Sequence, residues 1–355
     1  MNKIKWFTIT NHTSNKIIKY TIPQLITLLF LLCVSVLSGQ MDLSSQKITE
    51  NVLIVKGGGA NVTVIATEKG LVLIDTFISP GAARRAQKII QEFSNKPILY
   101  AINTHYHADH SFGNQVFSDA VIIGSPDYKK NASTRYCPRI ENIQKAITDI
   151  QEELKNNQLE SKYVETLKDQ LNSYRQLLKD SRNFKLTGPE ISLQGNAVLK
   201  LGSTTFKIFT SGPAHTSADL VVYIPEEKLL VMGDLFWDHY IPYMDPHESD
   251  PCNWIAFLDK LPTMINEIQF VVPGHGNVQG RQALKTMQEL LQTIWDAVVN
   301  AKERGLTLTQ AKKEIQLPTY RDYLRYTPYL SFGIESCWNA LHRELSREKK
   351  LLFTF

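Results

Sequence analysis

Between Thr104 and His110 the chain reads Thr-His-Tyr-His-Ala-Asp-His, which places three imidazoles and a carboxylate within six consecutive residues. Neutral imidazole nitrogens and ionised carboxylates are the donor set of a divalent metal such as zinc; manganese and iron accept the same ligand types. His105 and His107 are two residues apart, so an extended backbone sends both rings to one side, where both can reach one ion. Asp109 and His110 follow after a turn and can face a second ion beside the first. Further donors lie downstream: His215 in Ser211-Gly212-Pro213-Ala214-His215-Thr216, Asp234 after Gly233, and His275 in Pro273-Gly274-His275-Gly276. Any one of these three alone would more often be a structural residue. In series with the first cluster they are read as ligands.

The elements that must position these donors have one grammar. Ile98-Leu99-Tyr100-Ala101-Ile102, Phe206-Lys207-Ile208-Phe209-Thr210, Leu229-Leu230-Val231-Met232 and Phe270-Val271-Val272 are short apolar runs of strand character, and each leads into a ligand-bearing loop. With these motifs in this order the chain resembles the metallo-β-lactamase superfamily over residues 48 to 280. The resemblance implies an α/β fold, the αββα sandwich: two mixed sheets packed face to face with helices outside. It also implies that His105, His107 and His215 hold one zinc, that Asp109, His110 and His275 hold a second, and that Asp234 bridges them. Asp75, at the end of the run Leu71-Val72-Leu73-Ile74-Asp75, lies in the family under the metal loop; on sequence alone a plain helix-capping turn before Pro80-Gly81 accounts for it equally well.

Two cations at the usual two-metal spacing, about 3.5–4 Å, lower the pKa of a shared water and polarise a carbonyl, so no serine or cysteine nucleophile is required. Asp109 is the candidate catalytic residue, accepting a hydrogen bond from the resulting hydroxide. An aspartate at position 234 departs from the β-lactamase subclass that uses a thiolate there, and from the histidine-rich subclass that lacks the bridge. The expectation is therefore an exported hydrolase of a small lactam, lactone or ester-like carbonyl compound. The alternatives are a thioester or phosphodiester hydrolase of the same superfamily, and a non-catalytic metal-binding protein on this fold.

The remainder of the chain sets the context. Residues 1–39 carry Lys3, Lys5, Lys16 and Lys19 with no acid, then an apolar run from Leu25 to Leu37, then Ser38 and Gly39. Basic, apolar, small is the layout of a secretory signal peptide, and the run is shorter than the about 20 residues that a membrane-spanning helix needs. An uncleaved anchor is the other reading of the same run. Of 39 basic and 35 acidic residues, four basic ones lie in this segment, so the rest of the chain is balanced and offers no basic face for nucleic acid. The expected partner is a small-molecule substrate, with no membrane contact after signal cleavage.

Residues 127–183 break the strand rhythm. Ile140, Ile143, Ile147, Ile150 and Leu154 step by threes and fours, as do Val164, Leu167, Leu171, Tyr174 and Leu178, which predicts a helical hairpin inserted into the catalytic domain. It packs on the domain's side with some cover of the site, or serves as a lid or partner-binding arm. After Asp234 come Phe236, Trp237, His239, Tyr240, Tyr243, His247 and Trp254. The aromatics read as a pocket wall, except Trp254, expected in the core; His239 and His247 are pocket or surface residues. From residue 281 a helical extension packs on the same domain, and its end, with Arg321, Tyr323, Arg325 and Tyr326, has no legible motif.

Overall fold

Alternate residues of the strands face different layers, and that alternation organises the molecule. We describe it from a computed structural model covering residues 6–10, 17–21, 43–136, 140–155, 161–265 and 267–352. The first sheet comprises β1 (Ser44–Thr49), β2 (Val52–Lys56), β3 (Val62–Ala66), β4 (Leu71–Ile74), β5 (Ile98–Ile102), β6 (Val121–Gly124) and β7 (Ile191–Ser192), in that spatial order. It is antiparallel from β1 to β4 and parallel from β4 to β7. The second sheet comprises β8 (Ala197–Leu201), β9 (Thr204–Thr210), β10 (Leu220–Ile224), β11 (Leu229–Trp237) and β12 (Phe270–His275), antiparallel except for the last, parallel pair.

Val52 and Ile54 of β2 face Leu220, Val222 and Ile224 of β10 in the core between the sheets. Leu53 and Val55, on the other side of β2, pack against Ala82, Ala83, Ala86 and Ile90 of helix α1 (Pro80–Phe93). Val221 and Tyr223, the outward residues of β10, pack with residues of the helices that follow the sheets. Two faces buried on each sheet explain why the strand sequences are nearly continuous apolar runs rather than clean alternations. The result is the four-layer αββα sandwich.

Two compact units divide the chain: residues 43–137 with 184–355, which hold both sheets, and residues 1–42 with 138–183. In the second unit, α3 (Ile140–Glu153) and α4 (Ser161–Asp180) form the expected hairpin; α2 (Ala108–Ser111) belongs to the first. Ile143, Ile150, Leu167, Leu171 and Tyr174 of the predicted seams are buried, whereas Ile140 at the start of α3 is 43% exposed. Strands Trp6–Thr10 and Ile17–Thr21 pair antiparallel. The apolar run from Leu25 to Leu37, read as a signal, lies outside the described residues; among those described, no helix is long and apolar enough to cross a membrane. The first unit ends with α5 (Pro251–Met264), α6 (Gln282–Glu303), α7 (Leu308–Glu314) and α8 (Tyr326–Leu352), whose buried residues share one core with β10, β11 and β12.

Candidate metal centre

The donors lie at strand ends, but β11 corrects the sequence reading. The sequence predicts that its apolar run stops at Met232 and hands over to a loop bearing Asp234. Instead the strand continues through Leu235, Phe236 and Trp237, all buried, and Asp234 sits inside it. The pairing with β12 slips between Val231 and Gly233 and again between Gly233 and Trp237, and Gly233 takes a φ of 51°. Such irregularities re-aim side chains. They also let β12 approach closely: a Cβ on Gly274 would stand 1.9 Å from Oδ1 of Asp234. Only glycine fits there.

On the first sheet, β5 ends at Ile102 and the chain passes through His105 to the extended His107, which precedes α2. Asp109 and His110 lie in that single helical turn. Asp75, just past β4, takes a left-handed φ of 68°, which aspartate tolerates better than most residues. Its Oδ1 accepts from the Thr104 amide at 2.7 Å, and its Oδ2 lies 2.8 Å from Nδ1 of His110. The N-cap of α1 is Ser79, so Asp75 does not cap that helix, and its carboxylate contacts Thr104 and His110 instead.

All seven expected donors converge in two groups: His105, His107, His215 and Asp234, and Asp109, His110 and His275. Asp234 divides its carboxylate between them. Oδ2 lies 3.8 Å from His105 and 3.3 Å from His215, and Oδ1 lies 3.1 Å from His110 and 3.4 Å from His275. Three rings are braced at Nδ1: His105 by Oγ1 of Thr104 at 3.1 Å, His110 by Asp75, and His215 by the Tyr243 carbonyl at 2.9 Å. Their Nε2 atoms are left to face the centre. Six of the seven side chains are almost wholly buried; Asp109 is 25% exposed and is the one that meets solvent.

Buried polar atoms without partners are rare in native proteins. Here Nε2 of His105, His110 and His275 and Oδ1 of Asp234 are buried, and none makes an aligned hydrogen bond. Burial, and then neighbouring imidazoles, hold His105 and His107 well below the usual histidine range, as neutral donors. Burial opposes charge on His110 and His275, but the surrounding carboxylates outweigh it, raising His110 well above its ordinary value and His275 to about 9. Against desolvation, His110 and then His275 lower Asp109 to about 2 and hold Asp234 well below the carboxylate range. Two protonated imidazoles facing two carboxylates occupy the positions that cations would take on displacing the protons. The residues fit a pair of divalent ions.

The aromatic stretch after Asp234 separates by burial. Phe236, Trp237 and Trp254 are buried, and Trp254 donates its indole N–H to the Leu235 carbonyl at 3.1 Å. Tyr240 and Tyr243 are half-buried beside His275 and His215, at ring distances of 6.3 and 6.4 Å, while His239 and His247 are exposed. Sequence reasoning missed Thr104 and the Tyr243 carbonyl as braces, and it missed the C-terminal contribution: Tyr329 and Phe332 of α8 lie 5.5 Å from Tyr243.

The family model of the metallo-beta-lactamase superfamily matches residues 55–126 and 154–275. A linear primary-alkylsulfatase of a Pseudomonas species is 22% identical over 276 residues, covering 75% of this chain and 51% of that protein. The chain thus spans about half the length of that relative. A metallo-beta-lactamase type 2 of Bacillus cereus is 25% identical over 234 residues, covering 66% of this chain and 73% of the other. Among solved structures, a stereoselective inverting sec-alkylsulfatase of a Pseudomonas species has the same fold, with a TM-score of 0.64 and 17% identity over 94% of this chain and 57% of that one.

Proposed function

The chain belongs to the metallo-beta-lactamase superfamily, and from that premise we propose that it is an exported, dinuclear zinc hydrolase of a small lactam, lactone or ester-like carbonyl substrate. His105, His107 and His215 would hold one ion, Asp109, His110 and His275 the other, and Asp234 both. The observation that supports this most directly is the division of the Asp234 carboxylate, one oxygen toward each histidine group. Export rests on the layout of residues 1–39 alone.

When bound, two such ions supply Lewis-acid polarisation of a carbonyl and a water of lowered pKa. The chain's own residues do the rest. Asp109, ionised and partly open to solvent, accepts a hydrogen bond from the attacking water at its carboxylate and aligns it. Asp75, Thr104 and the Tyr243 carbonyl hold three imidazoles in one orientation, so little reorganisation accompanies reaction. Tyr240 and Tyr243, half-buried, lie beside His275 and His215.

A second reading, hydrolysis of an alkyl sulfate ester, is favoured by the alkylsulfatase relation over 75% of this chain. One experiment tests both. The zinc-loaded full chain is assayed against β-lactams, lactones, aryl esters, thioesters, phosphodiesters and a primary alkyl sulfate, with metal content measured on the same sample. We expect two ions per chain and turnover of a carbonyl compound. Turnover of the sulfate ester alone moves the assignment to the second reading, and one ion per chain with no gain on adding zinc rejects the dinuclear centre.

A further inference from the structure

Of the rings in the candidate centre, His275 is held differently from those braced at Nδ1. Its Nε2 faces Asp109 and Asp234 at 3.3 and 3.4 Å, and its buried Nδ1 has no hydrogen-bond partner among the described residues. What it has instead is a face. The Trp237 indole lies against the imidazole with ring centroids 4.0 Å apart and planes inclined by only 23°. The topology enforces this placement, because Trp237 and His275 are the last register partners of the parallel β11–β12 pair. The Asp238 amide then donates to the His275 carbonyl at 3.0 Å, closing the strand ends together. Asp238 also accepts from the Asn277 amide at 2.9 Å and from Gln279 at 3.0 Å, fixing the turn that follows.

We propose that Trp237 is a positioning residue for the second metal ion, its indole face holding the unbraced His275 ring in the orientation that aims Nε2 at Asp109 and Asp234. The proposal rests on the dinuclear reading above. An imidazole's final torsion is broad and two-fold, so a ring with no Nδ1 hydrogen bond needs another restraint. Trp237 can supply it because it is itself pinned: it is 5% exposed and meets Tyr240 at 5.6 Å and Tyr329 at 6.0 Å, both edge to face. A metal-bound imidazole is electron-poor, and the electron-rich indole face attracts it more than it attracts the free ring. The indole N–H is buried without an acceptor among the described residues, so what the side chain offers His275 is its ring face. A phenyl ring should therefore substitute, and an aliphatic one should not.

The test is zinc titration of the metal-stripped full chain in competition with a chromophoric chelator. In the unaltered protein two ions bind. Trp237→Leu should retain the first and weaken the second by about 10-fold or more, the range for loss of a group that orients a ligand. Trp237→Phe should bind both nearly as the unaltered chain does. Equal affinity for both ions in Trp237→Leu overturns the proposal, as does equal weakening of both. So does a Trp237→Phe variant that melts normally yet loses the second ion. Should Trp237→Leu not fold, fluorotryptophan-labelled protein of native sequence decides: the fluorine resonance absent from Trp237→Phe should shift with the second equivalent of zinc and hardly with the first. A resonance that moves only with the first equivalent, or not at all, overturns the assignment. Fewer than two ions on the native sequence would remove the dinuclear reading itself, and this inference with it.

Discussion

At the scale of single residues, two carboxylates near the centre have opposite tasks. Asp234 spans both histidine groups, whereas the Asp75 carboxylate contacts His110 and Thr104. An amide at position 234 keeps the shape and loses the charge that holds two cations close. Asp234→Asn should therefore cost more than the about 10–100-fold typical of losing a ligand's supporting partner, and Asp75→Asn should fall within that range. Metal analysis and kcat on both variants check the order; near-normal turnover with two tightly bound ions in Asp234→Asn would make that carboxylate structural. A third acid, Glu248, is half-buried and accepts from the Ser217 amide at 3.0 Å. Desolvation outweighs that bond and lifts its pKa from 4.5 to about 7. In this window the native chain holds a proton that the unfolded chain has released, so this group's contribution to stability is greatest at low pH and falls as pH rises from about 4.5 through about 7. Discounted for partial exposure, the loss is on the order of 1–2 kcal/mol. Glu248→Gln keeps the acceptor and removes the charge. It should raise Tm by about 2–5 °C at pH 8 and by little at pH 4.5. Thermal melts showing the same difference at both pH values would exclude this origin.

At the scale of elements, what could be read from the sequence was what local chemistry determines. The apolar run at 98–102 gives a strand with those bounds, the run at 206–210 falls inside β9, and the steps of three and four give the hairpin helices. The seven donors were legible because their residue types are costly to bury without a purpose. The end of β11 was not legible. A motif-centred reading stopped the strand at its ligand, while burial of Leu235, Phe236 and Trp237 carried it onward, and the register slips depend on a partner strand about forty residues away. The braces on His105 and His215 were hidden for a similar reason, since a backbone carbonyl and a neighbour's hydroxyl announce nothing by type. The close packing at those slips makes a test. Gly274→Ala drives a methyl into Oδ1 of Asp234, and should weaken metal binding at least as much as Asp75→Asn does. Gly195→Ala meets nothing within 4 Å and should leave metal binding unchanged while stabilising by about 0.4–1 kcal/mol through the unfolded chain. Paired metal titrations and urea melts separate the two; normal zinc affinity in Gly274→Ala would mean that β11 and β12 can part without cost.

At the scale of the molecule, the family match ends at residue 275, yet the outer layer on the second sheet is built largely after it. Leu284, Leu291 and Ile294 of α6 and Tyr329, Leu330 and Ile334 of α8 are buried in the same core as Leu230, Met232 and Val271 of the sheet. Without those helices only α5 and α7 would remain over the outward face of β10, β11 and β12, and a sheet buried on both sides has no polar face to offer water. Full burial of a large apolar side chain contributes about 1.5–3 kcal/mol, so Tyr329, Leu330 and Ile334 together contribute about 5–9 kcal/mol. Domains as a whole are stable by only about 5–15 kcal/mol. The same helix also sets Tyr329 and Phe332 behind Tyr243, whose carbonyl braces His215, so α8 ties the core to the centre. A chain ending at Leu317 should therefore lose its cooperative urea transition, and with it the binding of both metal ions rather than one. The comparison uses Tyr329→Ala in the full chain, which should retain a cooperative transition at a lower midpoint. A truncated chain that unfolds cooperatively near the native midpoint and binds two zinc ions would show that the helices after the family match are an appendage and no part of the fold.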